Sequence, residues 1–210
     1  MLTGIDVLYH SSIKINKKHI IYVDPYKVNE DFHDADIIFC THSHYDHFSE
    51  EDILKIKKDD TILVITEDCL TQAYKLGFNE SNIIVVVPNK QYSVLDITFE
   101  TVNSYNLEKQ YHPFENNWVG YILEINDVHY YITGDTDLTP EAKKVSCDVA
   151  FVPIGGVYTM NAKEAASLVN TIEPQIAIPT HYAAIIGTID DANLFQRLVK
   201  EKIEVKRYIG

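Results

Sequence analysis

"IIFCTHSHYDHFSEED", residues 37–52, begins as a continuous apolar run, the pattern of a strand buried on both faces. It ends as a helix start: Ser49 followed three positions later by Asp52 resembles a capping box, and Ile53, Leu54 and Ile56 supply an apolar stripe. Between strand and helix, His42, His44, Asp46 and His47 crowd into one short loop. Four side chains able to bind a metal at a strand terminus are hard to assign to packing alone.

The neighbouring sequence extends this strand-loop-helix unit in both directions. Upstream, "IDVLYH", "SIKIN" and "HIIYVD" read as a meander of short strands, with a polar turn at Asn16-Lys17-Lys18. Downstream, "TILVIT" predicts another buried strand, "DCLTQAYKLG" a helix stopped by Gly77, and "NIIVVVP" a third buried strand closed by Pro88. Apolar residues then alternate from Gln91 to Thr101 and from Val119 to Thr133, with Asn126-Asp127 as a hairpin turn. The strand-helix rhythm returns with "DVAFVP", a helix capped by Asn161 with Glu164 three positions on, "QIAIP", a helix over 191–202, and "IEVKRY" as the last strand. Meandering strands alternating with strand-helix units predict an α/β (α+β) protein of two packed sheets with helices outside.

The chain has 210 residues and no Pro/Gly/Ser-rich linker or composition shift, so one domain over 1–210 is expected. No apolar stretch approaches a membrane span of about 18 residues, and the N-terminus alternates instead of showing a signal core, which predicts a cytoplasmic protein without a membrane partner. Cys40, Cys69 and Cys147 are odd in number and widely spaced, as buried small hydrophobes in a reducing compartment would be. Thirty-one acidic residues against 18 basic give a net charge of -13, whose field repels polyanions; nucleic acid is excluded as the expected partner, and a small-molecule substrate is favoured. A closed homo-oligomer is common enough to be expected.

Zinc prefers about four ligands in a tetrahedron and a catalytic ion keeps one position open, so the cluster is read as serving two ions. His42 and His44 would share one, and Asp46 and His47 would reach a second about 3.5 to 4 Å away. Further ligands are offered where other strands end: His112 in the loop "EKQYHPFENN", Asp135 after "HYYITGD", and His181 in "QIAIPTH". Asp135, a hard carboxylate, is suited to bridging two cations.

"THSHYDH", "GDTD" and "PTHY" together resemble the metallo-β-lactamase fold superfamily of binuclear hydrolases, whose first motif is His-x-His-x-Asp-His. "VDPY", "NNWVGYILEI", "YYITGDTD", "FVPIGGVYTMNAKEAASLV" and "AIPTHYAAIIG" look like the branch containing the ascorbate-6-phosphate lactonase and its small relatives. The resemblance covers nearly the whole chain and implies an αββα four-layer sandwich. It implies that His42, His44 and His112 hold one ion, that Asp46, His47 and His181 hold the other, and that Asp135 bridges. Related small members place the third histidine in roughly Ala-x-His, where "VNSYN" puts Asn106; His112 is preferred because imidazole is a better ligand than an amide. His10 and Asp24 resemble the residues that orient the family's ligating histidines, or are ordinary polar residues at strand ends.

Two divalent ions, Zn2+ or Mn2+, would activate a water or hydroxide to attack a lactone or phosphate ester, with Asp46, Asp135 and His181 closest to the chemistry. In "IGGVYTM", Gly155 and Gly156 let backbone approach the site while Tyr158 and Thr159 line a substrate pocket. His19, His33 and His129 read as ordinary hydrogen-bonded or exposed histidines, and Trp118 as core or pocket wall. The competing readings are a metal-dependent phosphodiesterase or nuclease, a di-iron oxidoreductase-like relative, and a non-catalytic metal-binding relative. The nuclease would want a basic track and the di-iron protein a carboxylate at position 44.

Overall fold

A computed structural model describes residues 1–208. The chain forms two compact units, residues 2–87 and residues 88 onward, the second also taking in Met1.

The first unit is a six-stranded sheet whose strands follow one another in chain order. The antiparallel meander β1 (Ile5–Tyr9), β2 (Ser12–Asn16) and β3 (Ile20–Val23) leads into the parallel strands β4 (Ala35–Phe39), β5 (Lys57–Ile65) and β6 (Ile83–Val85). Between them lie the helices α1 (Glu50–Ile56) and α2 (Leu70–Lys75), which bury Ile53, Ile56 and Ala73 against Tyr22, Ile38, Leu63 and Ile65 of the sheet. On the opposite face Ile21, Val23, Ile37, Phe39 and Val64 are buried too, as the unbroken apolar runs demanded. Each such side chain contributes about 1.5–3 kcal/mol relative to exposure. Helix α1 begins as its sequence predicts: the Asp52 amide donates to Ser49 Oγ at 3.3 Å, and Ser49 Oγ donates to the Asp52 carboxylate at 2.7 Å. That carboxylate also accepts the Lys27 and Val28 amides, each at 2.9 Å. Burial alone would raise the Asp52 carboxyl, but these bonds and the one from Lys55 outweigh it and hold the group below the ordinary carboxylate value.

The second unit is a seven-stranded sheet in the order β13-β12-β11-β10-β9-β8-β7. Its antiparallel part is β7 (Gln91–Val94), β8 (Ile97–Asn103), β9 (Val119–Ile125) and β10 (Val128–Ile132). Its parallel part is β11 (Val149–Pro153), β12 (Ile176–Thr180) and β13 (Glu204–Val205). Helices α3 (Ala162–Ile172) and α4 (Ile189–Leu198) pack on one face, with Ala165, Leu168, Val169 and Phe195 clustered with Ala150, Val152 and Ala177. The expected capping box of α3 is complete: Asn161 Oδ1 accepts the amides of Lys163 and Glu164, and Glu164 accepts the Asn161 amide.

Several boundaries differ from the sequence reading. The run at 82–88 is not a buried strand: β6 has three residues at a sheet edge, paired only with β5, and Val85 and Val87 are exposed. The alternation from Gln91 to Thr101 is broken at Leu95, whose φ of +53° makes the turn between β7 and β8, so one run is two strands. Helix α4 starts at Ile189 because Thr188 and Asp191 form its capping box, and it ends at Leu198, short of Lys202. "IEVKRY" supplies only two paired residues, again at an edge. Alternation predicts extended backbone; pairing needs a partner at hand.

Candidate metal centre

In the first unit the His-rich loop leaves β4 at Cys40 and turns back on itself, the amides of His47 and Phe48 both donating to the His44 carbonyl at 2.9 and 2.8 Å. Asp24, just past β3, stays in the ladder through its amide to Phe39 O at 2.9 Å. Its carboxylate has no exposed surface and accepts three donors: the Thr41 amide at 2.8 Å, Thr41 Oγ1 at 2.8 Å and His47 Nδ1 at 2.7 Å. A hydroxyl has one proton, and Thr41 gives its proton to Asp24; His42 Nδ1, 2.9 Å from Thr41 Oγ1, must therefore be the donor of that contact. Both histidines are thus held as Nδ1–H tautomers that present Nε2.

Those Nε2 atoms face other ligand-type groups. His42 Nε2 stands 3.1 Å from His44 Nδ1, and His47 Nε2 stands 3.7 Å from Asp46 Oδ2. Ligand atoms of His42 and His47 lie within 4.8 Å of each other. Two nitrogens bound to one tetrahedral ion at about 2.0–2.1 Å are separated by about 3.3 Å. The His42–His44 spacing fits that geometry. His10, fully buried in the turn after β1, brings Nε2 to 3.4 Å from Asp46 Oδ2. His10 and Asp24 both have left-handed backbone, with φ of +54° and +48°, a conformation costly for residues other than glycine and concentrated at functional sites.

The second unit carries a corresponding set. Asp135 follows β10 and His181 follows β12, with His181 Nε2 at 3.0 Å from Asp135 Oδ2. His112 Nε2 lies 3.4 Å from the same oxygen, so one carboxylate oxygen faces two imidazoles. All three residues are nearly fully buried. Asn106 and His112 are both used, in different roles: Asn106 Nδ2 donates to Tyr158 O at 2.9 Å, which leaves Oδ1 to accept the His112 amide at 3.0 Å and Nδ1 at 3.1 Å. The amide holds the imidazole as the Nδ1–H tautomer with Nε2 toward Asp135. Trp118 packs edge-on against the His112 ring, centroids 5.5 Å apart.

The "IGGVYTM" segment meets the neighbouring loops through its backbone carbonyls. Thr159 is fully buried, and its carbonyl accepts Lys109 Nζ at 2.8 Å. Tyr158 supplies the carbonyl bound by Asn106, while its ring packs edge-on against Tyr111. Gly155 permits a close approach: a Cβ there would stand 2.4 Å from His181 O and 2.7 Å from Ile186 Cγ2. Gly155→Ala is accordingly expected to destabilise the fold by about 1–3 kcal/mol and to displace His181, measured by denaturant unfolding of the metal-free protein. A wild-type midpoint would contradict this packing.

Thr41 is a participant that sequence reasoning missed; only its place directly before His42 hinted at it. His33 Nδ1 is 2.9 Å from Lys57 O, His129 is half-exposed beside Asp148, and His19 Nδ1 is 3.8 Å from Asp36. Burial pushes the Cys40 thiol well above its ordinary value and Cys69 and Cys147 up to about 12.

The model of the β-lactamase superfamily domain matches residues 4–181, across both units. The chain belongs to the metallo-β-lactamase superfamily. A metal-dependent hydrolase of Pyrococcus horikoshii is 28% identical over 97% of this chain and 95% of its own. A structure from Parabacteroides distasonis, described as a metal-dependent hydrolase, is 30% identical with a TM-score of 0.83, covering 98% of this chain and 93% of that one. A metallo hydrolase from Ignicoccus hospitalis shares the fold at 18% identity, TM-score 0.78, with 98% and 94% covered. The metallo-β-lactamase fold expected from the sequence is therefore borne out. Among the described residues no helix is long and apolar enough to cross a membrane.

Proposed function

We propose that the chain is a metal-dependent hydrolase that uses these histidines and aspartates to act on a small-molecule lactone or phosphate ester. The observation that carries this reading is the Asp135 carboxylate oxygen, 3.0 and 3.4 Å from two imidazole Nε2 atoms on separate loops. His42, His44 and His112 would hold one divalent cation, Asp46, His47 and His181 a second, and Asp135 both. Five imidazoles and two carboxylates suit zinc or manganese. Such cations supply Lewis acidity, lowering the pKa of water and polarising the carbonyl or phosphoryl oxygen under attack.

The chain's own residues prepare that chemistry. Asp24 and Thr41 fix the tautomers of His47 and His42, and Asn106 fixes that of His112, so the ligating nitrogens are set before any ion arrives. His10 Nε2 lies 3.4 Å from Asp46 Oδ2, and that carboxylate would accept a proton from an attacking water. The excess of acidic residues disfavours nucleic acid, and the reading takes a small molecule as the partner.

The test is a panel of lactones, phosphate monoesters and phosphodiesters, offered to protein reconstituted with zinc or manganese. Turnover of one class, abolished by a chelator and restored by the ion, is expected. Turnover that survives complete removal of metal would overturn the reading.

A further inference from the structure

His112 is fixed by Asn106, but Asn106 sits in a loop with no regular structure, and something must fix Asn106. The structure answers with Asp137, the second carboxylate of the Gly-Asp-Thr-Asp turn that also carries Asp135. The Asp137 amide donates to Tyr105 O at 2.9 Å, and Asp137 Oδ2 accepts the Leu107 amide at 3.0 Å. Asn106 is therefore gripped on both sides by one residue. Asp137 Oδ1 pairs with Lys109, whose Nζ also donates to Thr159 O at 2.8 Å. Thr136 Oγ1 adds a contact to Tyr105 O at 3.2 Å. Three loops are thus tied at one ion pair: the loop with Asn106 and His112, the turn with Asp135, and the segment with Tyr158 and Thr159. The Asp137 side chain is 8% exposed and that of Lys109 25%, so the pair is sheltered from solvent screening.

We propose that Asp137 and Lys109 are positioning residues that set the His112 imidazole against Asp135, and thereby tune how tightly one of the two cations is held. The role rests on the metal-centre reading given above. Neither residue is among the ligands proposed above; both act through Asn106. Outer residues that orient metal ligands typically change metal affinity 10–100-fold when replaced. The near edge of that range is expected here, because Asn106 itself stays.

The experiment uses the full chain with D137N, K109M and K109R, each alone and combined with H112A. Chelator competition with zinc should show one of two binding steps weakened about tenfold in D137N and K109M, the other within about threefold, with K109R recovering most of the loss. In the H112A background the same substitutions should have no further effect, which a general loss of stability would not mimic. A second readout needs no metal: the 15N shifts of His112 in the metal-free protein should report the Nδ1–H tautomer in the wild type and move toward averaging in D137N and K109M. Unchanged 15N shifts in both variants would overturn the clamp. So would affinity losses as large with H112A as without. A wild type that binds no zinc, yet shows the tautomer change, sinks the metal centre and leaves the clamp standing.

Discussion

Asp135→Ala is expected to lower kcat/KM by at least about a thousandfold on whichever ester the panel identifies, while His42→Ala falls short of that loss. The difference follows from how many partners each residue serves. Asp135 Oδ2 faces both His112 and His181, so its removal would strip a ligand from both proposed ions and their shared negative charge. Metal catalysis contributes several kcal/mol to transition-state stabilisation, and losing about 4 kcal/mol is about a thousandfold in rate. His42 would serve a single ion, which His44 would still hold in part. Steady-state kinetics with metal content measured on the same samples checks both. A loss below tenfold in Asp135→Ala would remove the carboxylate from the centre of the chemistry.

Asp24→Ala is expected to be the most destabilising single change near the site, by about 3–5 kcal/mol in denaturant unfolding of the metal-free protein. The carboxylate is wholly buried and satisfies the Thr41 amide, the Thr41 hydroxyl and His47 Nδ1; deleting it leaves three donors in a space closed to solvent. Asp24→Asn separates packing from electronics. It keeps the shape but turns an NH2 toward one of those donors, which favours the other tautomer of His47. Metal affinity should then fall about 10–100-fold. An Asn variant that binds zinc as the wild type does would show that Asp24 has only a packing role.

The same residues show how far local sequence reaches. Periodicity placed β4, β11, β12 and the part of β5 at 61–65, because a strand buried on both faces is apolar over most of its length, a requirement met within five residues; the polar start of β5 at 57–60 gave no such signal. The caps of α1 and α3 were legible for a similar reason: a capping box closes within three residues. Edge strands were overcalled. Val85 and Val87 look like core in sequence, yet an edge has a neighbour on one side only, and nothing in an apolar run says which strand will be last.

The ligand types themselves were also readable, since His-x-His-x-Asp-His concentrates metal chemistry in one loop, and the histidine and aspartate candidates elsewhere fall at strand ends. Sequence alone established the strand-helix order, the caps of α1 and α3 and which side chains have ligand chemistry, all of which depend on neighbours a few positions apart. Only tertiary structure decided that the Asn106 amide meets the His112 imidazole, that Thr41 meets the His42 imidazole, and that Tyr158 and Thr159 contribute carbonyls. Those roles depend on hydrogen bonds between groups as far apart as the 52 positions from Asn106 to Tyr158, and such a bond exists only once the topology has brought two loops to the same end of a sheet.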